Sequence, residues 1–138
     1  MRALGLDLGS RRIGVAVSDR SGTIASPLTV IQRSGDVARD HRAIAALVAE
    51  EEAERVVVGL PLSLDGSIGP AARAALAEAE ALASVVDVPV ETYDERLTTV
   101  TAERTLMEAR MRAEARRRVV DKVAAAVMLQ AWLDGRRP

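Results

Sequence analysis

Carboxylates stand at three separated points of the chain, Asp7, the pair Asp94-Glu95, and Asp121, and the residues around each give it a reason to face inward. In Ala3-Leu4-Gly5-Leu6-Asp7-Leu8-Gly9 the even positions are leucine and the odd ones are Ala3, Gly5 and Asp7. A strand shows alternate residues to opposite faces, so Asp7 shares its face with small residues, which leave room for a close approach. Asp94-Glu95 lies at the end of the last predicted strand, the place where open sheets present ligands. Asp121 opens a run, Val123 to Leu129, that has no polar break. A helix apolar nearly all round is buried, and helical spacing puts Asp121 on the side of Ala124 and Ala125. Docked by those small residues on the Ala3 and Gly5 face, the helix would set Asp121 beside Asp7. Carboxylates gathered in a poorly solvated site repel one another by roughly several kcal/mol unless cations neutralise them. Oxygen donors select hard cations, Mg²⁺ or Mn²⁺. Two such ions about 3.5–4 Å apart activate a water and stabilise the leaving oxygen of a phosphodiester.

Each acid also has an ordinary use. Asp7 before Gly9 suits a hairpin turn, Asp121 in a first helical turn is favoured by the helix dipole, and Asp94-Glu95 could be a solvated pair leading into a helix capped by Thr98 or Thr99. Their order along a hairpin-first sheet is what lifts them together above those uses. His41 reads as an exposed residue on a charged helix, and one histidine in a chain without cysteine cannot build a zinc site.

The elements that must position these acids follow from periodicity and turn residues. A hairpin joins residues 3–9 to Ile13–Asp19 through Gly9-Ser10-Arg11-Arg12, and Thr23–Gln32, with Pro27, suits an edge strand or a bulge. The spacing predicts an amphipathic helix over 37–52, a buried parallel strand at 56–59, an alanine-rich helix over 70–84 and a last strand over 88–93. Two helices, over 98–110 and 119–134, close the chain. Meander followed by alternating strand and helix gives the α/β class: a mixed five-stranded sheet with helices on its faces, in one domain over 1–138.

Composition narrows the function classes. With 138 residues and 49% apolar content there is room for one covered sheet and not for two lobes. Absence of cysteine suits a reducing cytoplasm, and no stretch approaches a membrane span, so a cytoplasmic, membrane-free protein is expected. The net charge of −1 gives no global pull on nucleic acid, yet five of the nine residues from Arg110 to Arg118 are arginine. Having only Tyr93 and Trp132 as aromatics argues against a base-stacking platform.

Four stretches together are specific: Leu6-Asp7-Leu8-Gly9-Ser10-Arg11-Arg12-Ile13-Gly14-Val15-Ala16-Val17-Ser18-Asp19, Val57 to Gly66, Asp94-Glu95-Arg96-Leu97-Thr98-Thr99, and Val120 to Gln130. In that order they resemble the YqgF/RuvX family of the RNase H-like nuclease superfamily, relatives of the RuvC resolvases, over essentially the whole chain. The resemblance implies an RNase H-like fold, Mg²⁺- or Mn²⁺-dependent phosphodiester hydrolysis and a role in maturing the 5′ end of precursor 16S ribosomal RNA. Family members have also been discussed as Holliday-junction resolvases. Carried over by position, Asp7 and Asp121 are the outer acids, and the middle one lies at Asp94-Glu95. Glu95 is preferred as the catalytic acid, while strand parity leaves open which of the two points inward. The family's loop before the last helix often carries glycine and lysine, and its counterpart here, Arg110 to Arg118, has no glycine and should be more helical.

The expected roles are then Asp7, Glu95 and Asp121 for catalysis, with Asp94 as a further candidate metal ligand. Arg11, Arg12, Arg96, Thr98, Thr99, Arg112, Arg116, Arg117 and Arg118 would bind the nucleic acid, arginine because its planar fork meets phosphate in bidentate fashion. Gly9 and Gly14 would let backbone pass near the scissile group. Rival classes are a sugar-kinase or actin-like ATPase, which shares the Asp-x-Gly hairpin but needs a second lobe, and a non-catalytic RNA-binding assembly factor. A homodimer suits a resolvase that must cut two strands, and a monomer suits RNA trimming.

Overall fold

The computed structural model describes residues 1–97 and 113–136. Its centre is a five-stranded sheet in the order β3-β2-β1-β4-β5, with β1 Ala3–Leu8, β2 Arg12–Ser18, β3 Ala25–Gln32, β4 Arg55–Leu60 and β5 Val90–Asp94. The meander β1-β2-β3 is antiparallel, whereas β4 runs parallel to β1 and β5 parallel to β4. Pro27, which has no N–H to give a ladder, sits on β3 at the sheet edge, and the register with β2 shifts between Val15 and Ala16. The helices are α1 Val37–Glu50, α2 Pro70–Ala83 and α3 Ala113–Arg136. Asp36 starts α1 by accepting the Ala38 and Arg39 N–H groups, the ordinary duty of an N-cap carboxylate.

The mixed sheet and its helices are as expected, with shifted ends. The third strand starts two residues later than predicted and α1 stops two earlier. The final helix starts at Ala113, not Val119, so the segment without glycine from Ala113 to Arg118 is helical. The predicted helix over 98–110 lies outside the described residues, as do Thr98, Thr99 and Arg112.

Period-two alternation separates the two cores. Leu4, Leu6, Ile13, Val15, Val56 and Val58 pack with Ile44, Val48, Ala79 and Leu82 of α1 and α2. The other face offers Ala3, Ala16 and Val57 to Ala124, Ala125, Met128, Leu129, Trp132 and Leu133 of α3. Small residues bring α3 close on that side: a Cβ added to Gly5 would lie 2.9 Å from Leu129 Cβ and 3.3 Å from the Ala125 carbonyl oxygen. Asp7 belongs by parity to this α3 face.

Candidate active site

Asp7 is half-buried near the end of β1. Directly across on β2 lies Gly14, and one further step of the β1–β4 register sets Gly59 opposite Asp7 on the other side. The row Gly14, Asp7, Gly59 therefore crosses three strands, with neighbouring strands about 4.8 Å apart. Both glycines are occupied from above. A Cβ on Gly14 would collide with the Asp121 carbonyl of α3, and one on Gly59 would fall 2.5 Å from Glu95 Oε1. The two missing side chains are what let Asp121 and Glu95 come in on either side of Asp7.

This arrangement orders the acids that parity alone left open. Asp94 pairs with Leu60 in the β4–β5 ladder and so falls on the α1 and α2 face, while Glu95 opens a single turn of 3₁₀ helix that carries its carboxylate over Gly59. Asp94 is engaged by Arg96, whose Nη2 donates to Oδ2 at 2.7 Å and whose backbone N–H donates to Oδ1 at 2.9 Å. The Arg96 hydrogen bond holds the Asp94 carboxyl below its ordinary range. Arg96 also donates from Nη1 to the Leu64 carbonyl at 3.2 Å, tying the loop after β4 to the same corner. The candidate ligand Asp94 thus stands away from Asp7, and Arg96 is committed to an internal partner.

Arg12 is likewise paired: its Nε donates to Asp121 Oδ2 at 2.6 Å, with both side chains largely covered. Arg11, on the turn beside it, is exposed. Arg116, Arg117 and Arg118 lie on α3 within five residues of Asp121, about 4–8 Å along the helix axis at 1.5 Å per residue. Gly9 and Gly14 serve a different end from the one expected. Gly14 is filled by the α3 backbone, and a Cβ on Gly9 would stand 2.6 Å from the Arg12 carbonyl across the turn, so both make room for the chain itself.

The donor set suits a hard divalent cation: carboxylates from three elements, with Asp7 between a glycine covered by the α3 backbone and one covered by the Glu95 carboxylate. Among the described residues no three acids already stand close enough to hold one ion, and Asp121 is turned toward Arg12.

His41 corrects the sequence reading outright. It is 2% exposed, and its Nε2 lies 2.9 Å from Glu78 Oε2 of α2. Its neighbour Asp40 is buried as well. The signal was present, since His41 falls one turn before Ile44 on the apolar stripe of α1, but charged neighbours on both sides hid it.

The architecture is the RNase H-like fold, as in RuvC. RuvC of T. thermophilus bound to a Holliday junction substrate superimposes with a TM-score of 0.62 at 18% identity, over 99% of this chain and 95% of that one. A second Thermus thermophilus RuvC structure gives 0.59, also at 18% identity. Within that class the assignment narrows to a family. Residues 1–135 match the RuvX family, described as Holliday junction resolvase, and the chain belongs to it. A relative from Myxococcus xanthus, named "Putative pre-16S rRNA nuclease", is 49% identical over 138 residues, which is all of this chain and 91% of that protein. One of the same name from Caldanaerobacter subterraneus is 46% identical over 99% of both chains.

Proposed function

We propose that this protein is a metal-dependent nuclease that hydrolyses phosphodiester bonds of structured RNA and matures the 5′ end of precursor 16S ribosomal RNA. The observation that carries this reading is the row Gly14, Asp7, Gly59, which admits Asp121 and Glu95 to the two flanks of a half-buried aspartate. Asp7, Glu95 and Asp121 would hold Mg²⁺ or Mn²⁺. When bound, such ions supply an activated water and charge stabilisation of the leaving oxygen. The protein's own residues do the remaining work. The α3 backbone wedged on Gly14 fixes where Asp121 stands, and the 3₁₀ turn fixes Glu95. Arg11, exposed on the hairpin turn, receives a substrate phosphate, and Arg12 does so once it leaves Asp121. Arg116, Arg117 and Arg118, with Arg112, Thr98 and Thr99, extend the phosphate track. Arg96, by contrast, braces the loop after β4 and reaches substrate only by giving up Asp94.

The relatives' shared name supports RNA as substrate. Branched DNA is the second reading, because the family model carries the resolvase description. A monomer suffices for trimming RNA, whereas a resolvase would act as a homodimer. Among the described residues no helix is long and apolar enough to cross a membrane. Work on a ribosomal precursor would place the protein in the cytoplasm. Incubating it with labelled precursor rRNA and with a four-way DNA junction, with Mn²⁺ or with chelator, decides the matter. Mn²⁺-dependent cleavage of the rRNA alone is expected. Cutting of the junction alone would replace RNA by DNA, and binding without cutting would reduce the protein to an assembly factor.

A further inference from the structure

Behind the hairpin turn that follows Asp7 lies a second group of charged side chains, Arg33, Glu78, His41 and Asp40. Arg33, one residue past β3, donates from Nε to the Gly9 carbonyl at 2.7 Å and from its backbone N–H to the Arg11 carbonyl at 2.9 Å. Its Nη1 and Nη2 grip Glu78 Oε2 and Oε1 at 2.9 and 2.8 Å. Glu78 also meets His41 Nε2 at 2.9 Å, and Asp40 accepts the Ser34 N–H next to Arg33 at 3.1 Å. Burial alone would push the Glu78 carboxyl up. The hydrogen bonds from Arg33 and His41, helped by the Arg33 charge, outweigh it and hold the group below its ordinary value.

Covered ion pairs are weak devices for stability, since apolar residues of similar volume generally fill such a place as well. What a guanidinium fork adds is direction. Here the fork addresses Gly9 and Glu78 at once, while the Gly9 N–H is tied inside the turn to the Arg12 carbonyl at 3.0 Å. The turn is thereby clamped from within and from behind, and it is the segment that links Asp7 to Arg12.

We propose that Arg33, seated by Glu78 and His41, is a positioning residue for the nuclease centre: by holding the Gly9 and Arg11 carbonyls it sets the aim of the Asp7 carboxylate and of Arg12. This inference rests on the nuclease reading above. Lysine at position 33 keeps the charge but lacks the planar fork with which Arg33 meets Gly9 and Glu78 together.

The test compares wild type, Arg33→Lys, Glu78→Gln and, as a stability control far from the turn, Val86→Ala. Mn²⁺ binding is followed by the electron paramagnetic resonance of the free ion, alongside kcat and KM on labelled precursor rRNA and thermal unfolding. Arg33→Lys should weaken Mn²⁺ binding and lower kcat by about tenfold or more with KM within about twofold, the scale at which a ligand's support is felt. Glu78→Gln should move the same way by about threefold or more, and it decides the matter if the lysine variant does not fold. Val86→Ala should lower Tm and leave Mn²⁺ affinity and kcat within about twofold. Variants at 33 and 78 that lose only Tm, as the control does, would overturn the proposal. Wild type that binds Mn²⁺ but cuts nothing would end the nuclease reading, and the Mn²⁺ comparison would still decide the role of Arg33. Wild type that binds no Mn²⁺ would overturn both.

Discussion

Asp7 stands between the two covered glycines, Gly14 and Gly59, so its substitution gives the cleanest chemical test of the proposed site. Asp7→Asn keeps shape and removes charge, and should fold with an unchanged melting temperature while losing Mn²⁺-dependent cleavage by about 10²-fold or more, measured under single-turnover conditions. The two flanking glycines separate structure from chemistry. Gly14→Ala forces a side chain against α3 backbone, which cannot yield, and should cost roughly 3 kcal/mol in urea unfolding. Gly59→Ala meets the Glu95 side chain first, which can swing aside, so stability should fall by under about 1 kcal/mol while activity falls with the displaced carboxylate. An alanine at 59 with full cleavage would detach Glu95 from the reaction. Away from the site, Asp19 is held at about 2, against an ordinary 3.8, chiefly by the Thr23 backbone N–H, with Ser21 and Ile24 adding to it. Its contribution to stability is therefore present above the ordinary value and is lost as pH falls through about 2. Asp19→Asn should flatten that part of the acid-unfolding curve, which circular dichroism would follow.

Among elements, α3 decides most. Its docking face was legible in the sequence because Ala124 and Ala125 match Ala3 and Gly5 in size, and close packing needs small residues on both sides. Its starting point was not. Arginine is a good helix former and a loop residue alike, so periodicity gave no sign that the helix already runs from Ala113. The choice between Asp94 and Glu95 was hidden for a related reason: it depends on how the chain leaves β5, and the 3₁₀ turn that swings Glu95 over Gly59 leaves no mark on the two-residue alternation. Nor does sequence spacing show that Arg12 and Asp121, far apart in the chain, meet across β2. Neutralising Arg116, Arg117 and Arg118 together should weaken binding to any RNA sequence and reduce the slope of log K against log salt by about 2–3. An unchanged slope in a filter-binding titration would remove these arginines from the phosphate track.

Taken whole, the molecule puts its two cores to different uses. The face toward α1 and α2 is built of leucine, isoleucine and valine, and the face toward α3 mostly of alanine and glycine, with Val57 among them. The first supplies bulk burial, worth about 25 cal/mol per Å² of apolar surface, and the second brings backbone close to an acid. The sequence disclosed this division through alternation alone, which is why the mixed sheet could be read in advance. The charged cluster behind the turn could not, because Arg33, His41 and Glu78 come from three elements and meet only once β3, α1 and α2 are assembled.

The contact between Arg12 and Asp121 has a further consequence. A carboxylate already matched by a guanidinium needs no added ion to offset its charge, so the protein carries an internal counterion at an acid proposed to hold a divalent cation. Folding then need not wait for loading. A sample stripped with EDTA should refold to the same melting temperature as one kept in magnesium, to within a few degrees, and a chain that collapses on stripping would show that the guanidinium is no substitute.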